Sequence, residues 1–193
     1  MTTRAQRLTF RVGAVASRSL GDRPSVEASE SSNVEHVDFD QPFVNSKRLA
    51  SVQQAQGEVV FRPVAPAAVG KPLSVFVNGD EADPSQQTLA LIYQHPKFGR
   101  FMLVELPNFG TPDDLAAIVA NCTADTPCES DWSLVQLNDG AQAALKVGSP
   151  SVPFETTGVI WMRGNVAFQL FGPVQSFRQE AALAIANIVE ASP

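Results

Sequence analysis

The chain has 193 residues, a formal charge of −6 and a sequence pI near 4.9. Its 44% of hydrophobic residues can close one core, while the acidic balance and the lack of any basic run argue against a nucleic-acid surface, which needs clustered Lys and Arg. No stretch approaches the ~18–20 uninterrupted apolar residues of a membrane span, and residues 12–16 (VGAVA) are too short for a secretory core of ~7–15 residues.

In chain order, residues 1–45 read as a polar N-terminal extension or linker. Residues 25–32 (SVEASESS) are polar and acidic. Arg4, Arg7, Arg11 and Arg18 are scattered through a solvated tail, with an anionic membrane surface as their alternative neighbour. Val37, Phe39 and Phe43 are expected to dock the end of this segment as an edge strand. Residues 46–193 are then one globular domain.

The domain is expected to open with a short helix. Ser46 caps it, Leu49, Val52 and Ala55 or Gln56 share a face, and Gly57 ends it. Residues 58–64 (EVVFRPV) read as a strand, placed near an edge by Pro63, and 66–72 as a loop. Residues 73–77 form a strand that stops at Asn78-Gly79. Strands at 88–95 and 100–106 flank residues 96–99, a connection short enough for an antiparallel hairpin. Thr111-Pro112-Asp113-Asp114 carries a cap, a first-turn proline and acids at the positive helix end, and Leu115, Ile118 and Val119 supply the stripe of a helix ending near Asn121.

Residues 132–137 form the next strand, Asn138-Asp139-Gly140 turns the chain, and 141–147 returns it. A second hairpin joins 159–163 to 166–171 through Gly164-Asn165. The final helix is capped by Ser176 with Gln179 as capping-box partner. Ala181, Ile185 and Ile188 line one side, with Ala182, Ala186 and Val189 beside them. The class is therefore α+β: a mostly antiparallel sheet built from hairpins, with two or three helices packed on it. No internal repeat is visible.

Both cysteines, Cys122 and Cys128, lie in one polar loop after the predicted helix. Zinc usually wants four ligands, and neither His36 nor His95 is near in sequence. A thioredoxin-like pair wants C-x-x-C, which this is not. The remaining readings are a structural disulfide and two free thiols. The turn-compatible residues between the pair favour the disulfide, whose small ring is worth about 2–3 kcal/mol and which implies an oxidising compartment.

The common catalytic motifs are absent: no nucleophile elbow, P-loop, dinucleotide fingerprint, zinc-protease helix or EF-hand. Gly70-Lys71 is followed by Pro72 and lacks the upstream glycine of a P-loop. His95 and Glu105 fall on neighbouring strands, but a hairpin whose partners sum to about 195–200 puts His95 near Phe101 and far from Glu105. Asp80, Glu81 and Asp83 read as a solvated turn, with weak cation binding as the alternative. Trp161 alternates with Ile160 and Met162, so one of these faces is expected to open outward, and an exposed Trp would be a binding anchor. No catalytic residue, metal ligand or cofactor is assigned.

Three stretches carry a resemblance. Ala55, Phe61, Pro63, Pro66 and Gly70 fit the first; Leu91 and Tyr93 fit a strand motif. Trp161, Gly164, Phe168, Leu170 and Gly172 fit a hairpin motif, with Gly158 one residue nearer the Trp than the pattern has it. Ala182, Ile185 and Ala186 fit a terminal helix. Over roughly residues 46–190 the chain resembles a domain of unknown function from bacterial, notably actinobacterial, cell-envelope proteins. There it forms the extracytoplasmic part of anti-sigma-factor-like membrane proteins and lipoproteins. The resemblance implies sensing or binding outside the membrane and supplies no catalytic residues.

The expectation is an extracytoplasmic, non-enzymatic ligand- or protein-binding domain. Its partner is an unidentified small ligand or envelope protein, with no nucleic acid, and with membrane contact only through an anchor outside this chain. A small hydrolase built from dispersed residues and a passive structural module of the envelope are the alternatives.

Overall fold

The computed structural model describes residues 39–43, 45–79, 87–107, 115–116, 119, 132–151 and 155–192. Eight strands form one antiparallel sheet: β1 (Lys47–Leu49), β2 (Ser74–Asn78), β3 (Thr88–His95), β4 (Gly99–Pro107), β5 (Trp132–Gln136), β6 (Gln142–Lys146), β7 (Thr156–Arg163) and β8 (Val166–Pro173). Two helices are described, the single turn α1 (Val52–Ala55) and α2 (Gln179–Glu190), and Leu115, Ala116 and Val119 also have helical backbone. The antiparallel sheet built from hairpins is as expected, and it dominates the fold more than the sequence implied.

The strand order is β1-β2-β3-β4-β8-β7-β6-β5. Each half of the chain is a four-stranded meander, and the halves meet where β4 pairs antiparallel with β8, Leu103 opposite Leu170. The first hairpin closes at His95↔Gly99 and the second at Arg163↔Val166. Two residues back from each closing pair stand Tyr93↔Phe101 and Trp161↔Phe168. Both are stacked pairs, with ring centroids 5.1 and 5.2 Å apart and planes within 14° and 15°. The strands thus correspond about an approximate two-fold axis between β4 and β8, although no repeat is visible in the sequence.

Both faces of the sheet are covered, so its central strands are apolar almost throughout, such as LALIY in β3 and GVIWM in β7. One face carries the main core, with Leu91, Tyr93, Phe101, Leu103, Val159, Trp161, Phe168 and Leu170 under α2. The other carries two clusters. Phe39 and Phe43 pack on Phe76, Ala90, Ile92, Met102 and Val104. Leu115 and Val119 pack with Ala144, Ile160, Met162 and Ala167.

Covering both faces overturns the expectation that a face beside Trp161 opens outward: Trp161 is fully buried and its Nε1 donates to Glu190 Oε2 at 2.9 Å. Phe39 and Phe43 lie on a sheet face rather than forming an edge strand; the edge belongs to β1. Val37 is outside the described residues.

Local corrections have local causes. Ser46 is not a helix cap; its Oγ donates to the Phe43 carbonyl, and strand β1 follows. The cap is Ser51, whose Oγ accepts the Gln54 N–H at 3.2 Å, while Gln54 Oε1 accepts the Ala50 N–H. Residues 58–64 are not a strand. Glu58 and Val59 N–H groups turn back onto the Ala55 carbonyl, and the segment crosses the core face as a strap, carrying Val59, Phe61 and Val64 onto it. Ser176 does not cap α2; Arg178 occupies that position with no side-chain bond.

Candidate functional site

A groove of about 800 Å³ opens where β1 and β2 meet the chain that follows them. Leu49 and Val75, opposite each other in the β1–β2 pair, are both buried and form its floor. Residues 50–53, entering α1, form one wall. Ala65, Ala67 and residues 70–73 form the other. Pro66 starts a 3-10 turn (Ala67–Val69), and Gly70 then reverses the chain at φ 94°, where an added Cβ would meet nothing but the backbone conformation suits glycine. The Leu73 N–H donates to the Ile92 carbonyl at 2.7 Å and fixes the wall to the sheet.

The groove is amphipathic. Val52, Ala65, Pro72 and Leu73 supply apolar surface, and Leu73 is 59% exposed. Arg48 and Lys71 supply two cations, and among the described residues no Asp or Glu lines the groove, in a chain whose formal charge is −6. Arg48 is held in place: its Nη2 donates to Ser74 Oγ at 3.0 Å and its guanidinium lies 5.9 Å from the Phe76 ring centroid. Lys71 is exposed and forms no ion pair among the described residues.

The strap leading to this wall is tied to the sheet at two points. Glu58 pairs with Lys47 at 2.7 Å. Val64 N–H is bonded by both oxygens of Glu105, at 3.0 and 3.1 Å. Glu105 is completely buried, and burial pushes its pKa up to about 8 against the opposing effect of the Val64 hydrogen bond. Burial, and then Glu105, push the Tyr93 hydroxyl up as well. That hydroxyl is buried with no hydrogen-bond partner among the described residues.

A second polar group lies at the end of α2. Partial burial raises the Glu190 carboxyl, the Trp161 N–H opposes that shift, Asp139 raises it further and Arg163 lowers it. Arg163 Nη1 donates to the Ser192 carbonyl at 2.5 Å. These residues join the β5–β6 turn and β7 to the helix end.

Of the residues singled out from sequence, Cys122, Cys128, Asp80, Glu81 and Asp83 lie outside the described residues. His95 pairs with Gly99 rather than near Phe101, and stays far from Glu105, whose partner is Leu89. His95 Nδ1 accepts the Lys97 and Phe98 N–H groups at 3.1 and 3.3 Å and its ring stacks on Phe98, so it organises the hairpin turn. Among the described residues no three His, Cys, Asp or Glu side chains gather to hold a metal ion, and no helix is long and apolar enough to cross a membrane. Sequence reasoning missed the groove. Its one visible signal is Gly70-Lys71-Pro72, a basic residue on a reversing loop, which in the sequence is comparable only with a P-loop.

Comparison with protein families, curated proteins and solved structures found no match for this chain.

Proposed function

We propose that this domain is a non-catalytic binding module of the bacterial cell envelope whose groove takes an anionic, partly apolar ligand. The observation that carries the reading is the charge of the groove: Arg48 and Lys71 with no Asp or Glu among the described lining residues, beside the exposed Leu73, in an acidic protein. A volume near 800 Å³ is in the usual range for small-ligand pockets, ~300–1,000 Å³. The headgroup of an acyl-chain carboxylate would meet Lys71 while its chain lies over Val52, Pro72 and Leu73, and Arg48, whose guanidinium lies towards Phe76 on the opposite sheet face, would add positive charge at the groove margin. Titration with a fluorescent long-chain carboxylate tests this. Arg48→Gln and Lys71→Gln should each weaken binding roughly tenfold, equivalent to about 1.4 kcal/mol. Equal binding of the uncharged ester, or unchanged binding by both variants, would remove the reading.

The envelope location is supported by the loop between Cys122 and Cys128 and by the resemblance of the Trp161–Gly172 hairpin motif to envelope domains. Intact mass under alkylation checks the first support. A bridged pair takes up two alkyl groups only after reduction; alkylation of both thiols without reductant would withdraw the extracytoplasmic assignment.

A further inference from the structure

The two edges of the sheet are built differently. β1 has only three residues, and two of them are the cations Lys47 and Arg48. β5 has five residues, WSLVQ, with no charge and no proline. Shortness, charge and proline are the usual devices that keep an edge strand from pairing, and β5 lacks the latter two. It pairs with β6 on one side and with no other strand among the described residues. Leu134 at its centre is 44% exposed, and Val147, just beyond β6, is 48% exposed.

We propose that β5 is the contact surface for a second copy of this chain. Two β5 strands pair antiparallel about a two-fold axis at Leu134, and the two sheets become one continuous antiparallel sheet. Such an axis sets Leu134 against Leu134, Ser133 against Val135 and Trp132 against Gln136. A self-paired strand confronts each charge with its own kind, and like charges directly opposite are destabilising. The neutral β5 avoids that conflict, whereas pairing β1 about its centre would oppose Arg48 to Arg48. The operation has a precedent inside the molecule, since β4 and β8 already join two meanders antiparallel about an axis of this kind.

The faces match as well. Leu134 stands opposite Ala144 on the face that holds Leu115, Ile160, Met162 and the partly buried Trp132, and a two-fold normal to the sheet keeps that face continuous. The assembly places the two grooves at its outer ends, roughly 70 Å apart along the sheet at ~4.8 Å per strand.

Sedimentation of the full chain over a range of concentrations tests the proposal, with a doubling of mass expected as concentration rises. Leu134→Lys and Leu134→Glu alter a side chain that already meets solvent; each should weaken self-association at least tenfold while the circular dichroism stays unchanged. Mixing the two variants should restore the dimer, because opposite charges then face each other at the axis. A wild type that stays monomeric overturns the proposal, as do variants that dimerise undiminished or a mixture that stays monomeric. A monomer whose β5 amides resist hydrogen exchange also overturns it, by assigning the edge to a segment of the same chain.

Discussion

Glu105 occupies a position where its repeat-mate is Gly172, six residues back from the closing pair of each hairpin. Gly172 leaves room for the Phe177 ring; Glu105 instead reaches the strap and accepts the Val64 N–H. The sequence shows an acid within an apolar strand but not its neighbour, because residues 58–64 have the composition of a strand and not of a strap. The carboxyl titrates near 4.5 when unfolded and about 8 when folded. Between those values the folded state holds the extra proton, so stability from this group is fully present below pH 4.5 and falls as pH rises towards 8. A shift of this size corresponds to a loss on the order of 5 kcal/mol. Glu105→Gln keeps an acceptor for Val64 and removes the titration. Denaturant midpoints measured from pH 5 to pH 9 should therefore fall for the wild type and stay level for the variant, with the variant the more stable at pH 9. Parallel slopes for the two proteins would show that Glu105 does not titrate in this window.

At the level of elements, the hairpins were legible and the connections were not. Residues 88–95 and the Gly164-Asn165 turn carry their own instructions: the first is a short, almost wholly apolar run bounded by a turn, and the second is a two-residue turn whose Gly164 accepts φ 61°. Short elements depend on neighbours instead. Ser46 and Ser51 both have cap chemistry, and the choice falls to Ser51 because Lys47–Leu49 is taken into the sheet by β2. Ser176 likewise lost its expected role to a tight turn. Its N–H and that of Phe177 both bond the Pro173 carbonyl, and this swings the Phe177 ring over Gly172. That close approach yields a prediction. A Cβ at residue 172 would overlap the Phe177 side chain, so Gly172→Ala should cost about 1–3 kcal/mol through overpacking. The double variant with Phe177→Leu should recover part of that loss in chemical denaturation; additive losses would mean that the two residues do not compete for the same space.

The whole molecule is two similar meanders sharing one core, and the repeat was hidden for a physical reason. Cores constrain size and polarity more than identity, so Tyr93 and Trp161 hold equivalent places with different rings while Phe101 and Phe168, or Leu103 and Leu170, happen to agree. The hairpin loops also differ by one residue, which breaks any fixed spacing between the halves. What covers the sheet is not repeated: α2 lies on one face, and helical Leu115 and Val119 lie on the other. The main core nevertheless runs without a break from Leu49 in β1 to Val189 in α2 and takes residues from both meanders. A shared core of this kind makes the two halves open together rather than one after the other. Native-state hydrogen exchange, at concentrations low enough to leave β5 unpaired, should therefore find the slowest amides in β3, β4, β8 and β7 at a common opening free energy. The amides of β1 and β5 should exchange faster, since among the described residues each edge strand has a partner on one side only. If β3 and β4 exchanged as a unit well before β7 and β8, the seam at Leu103 and Leu170 would be a contact between two independent domains, and the single core inferred from burial would be wrong.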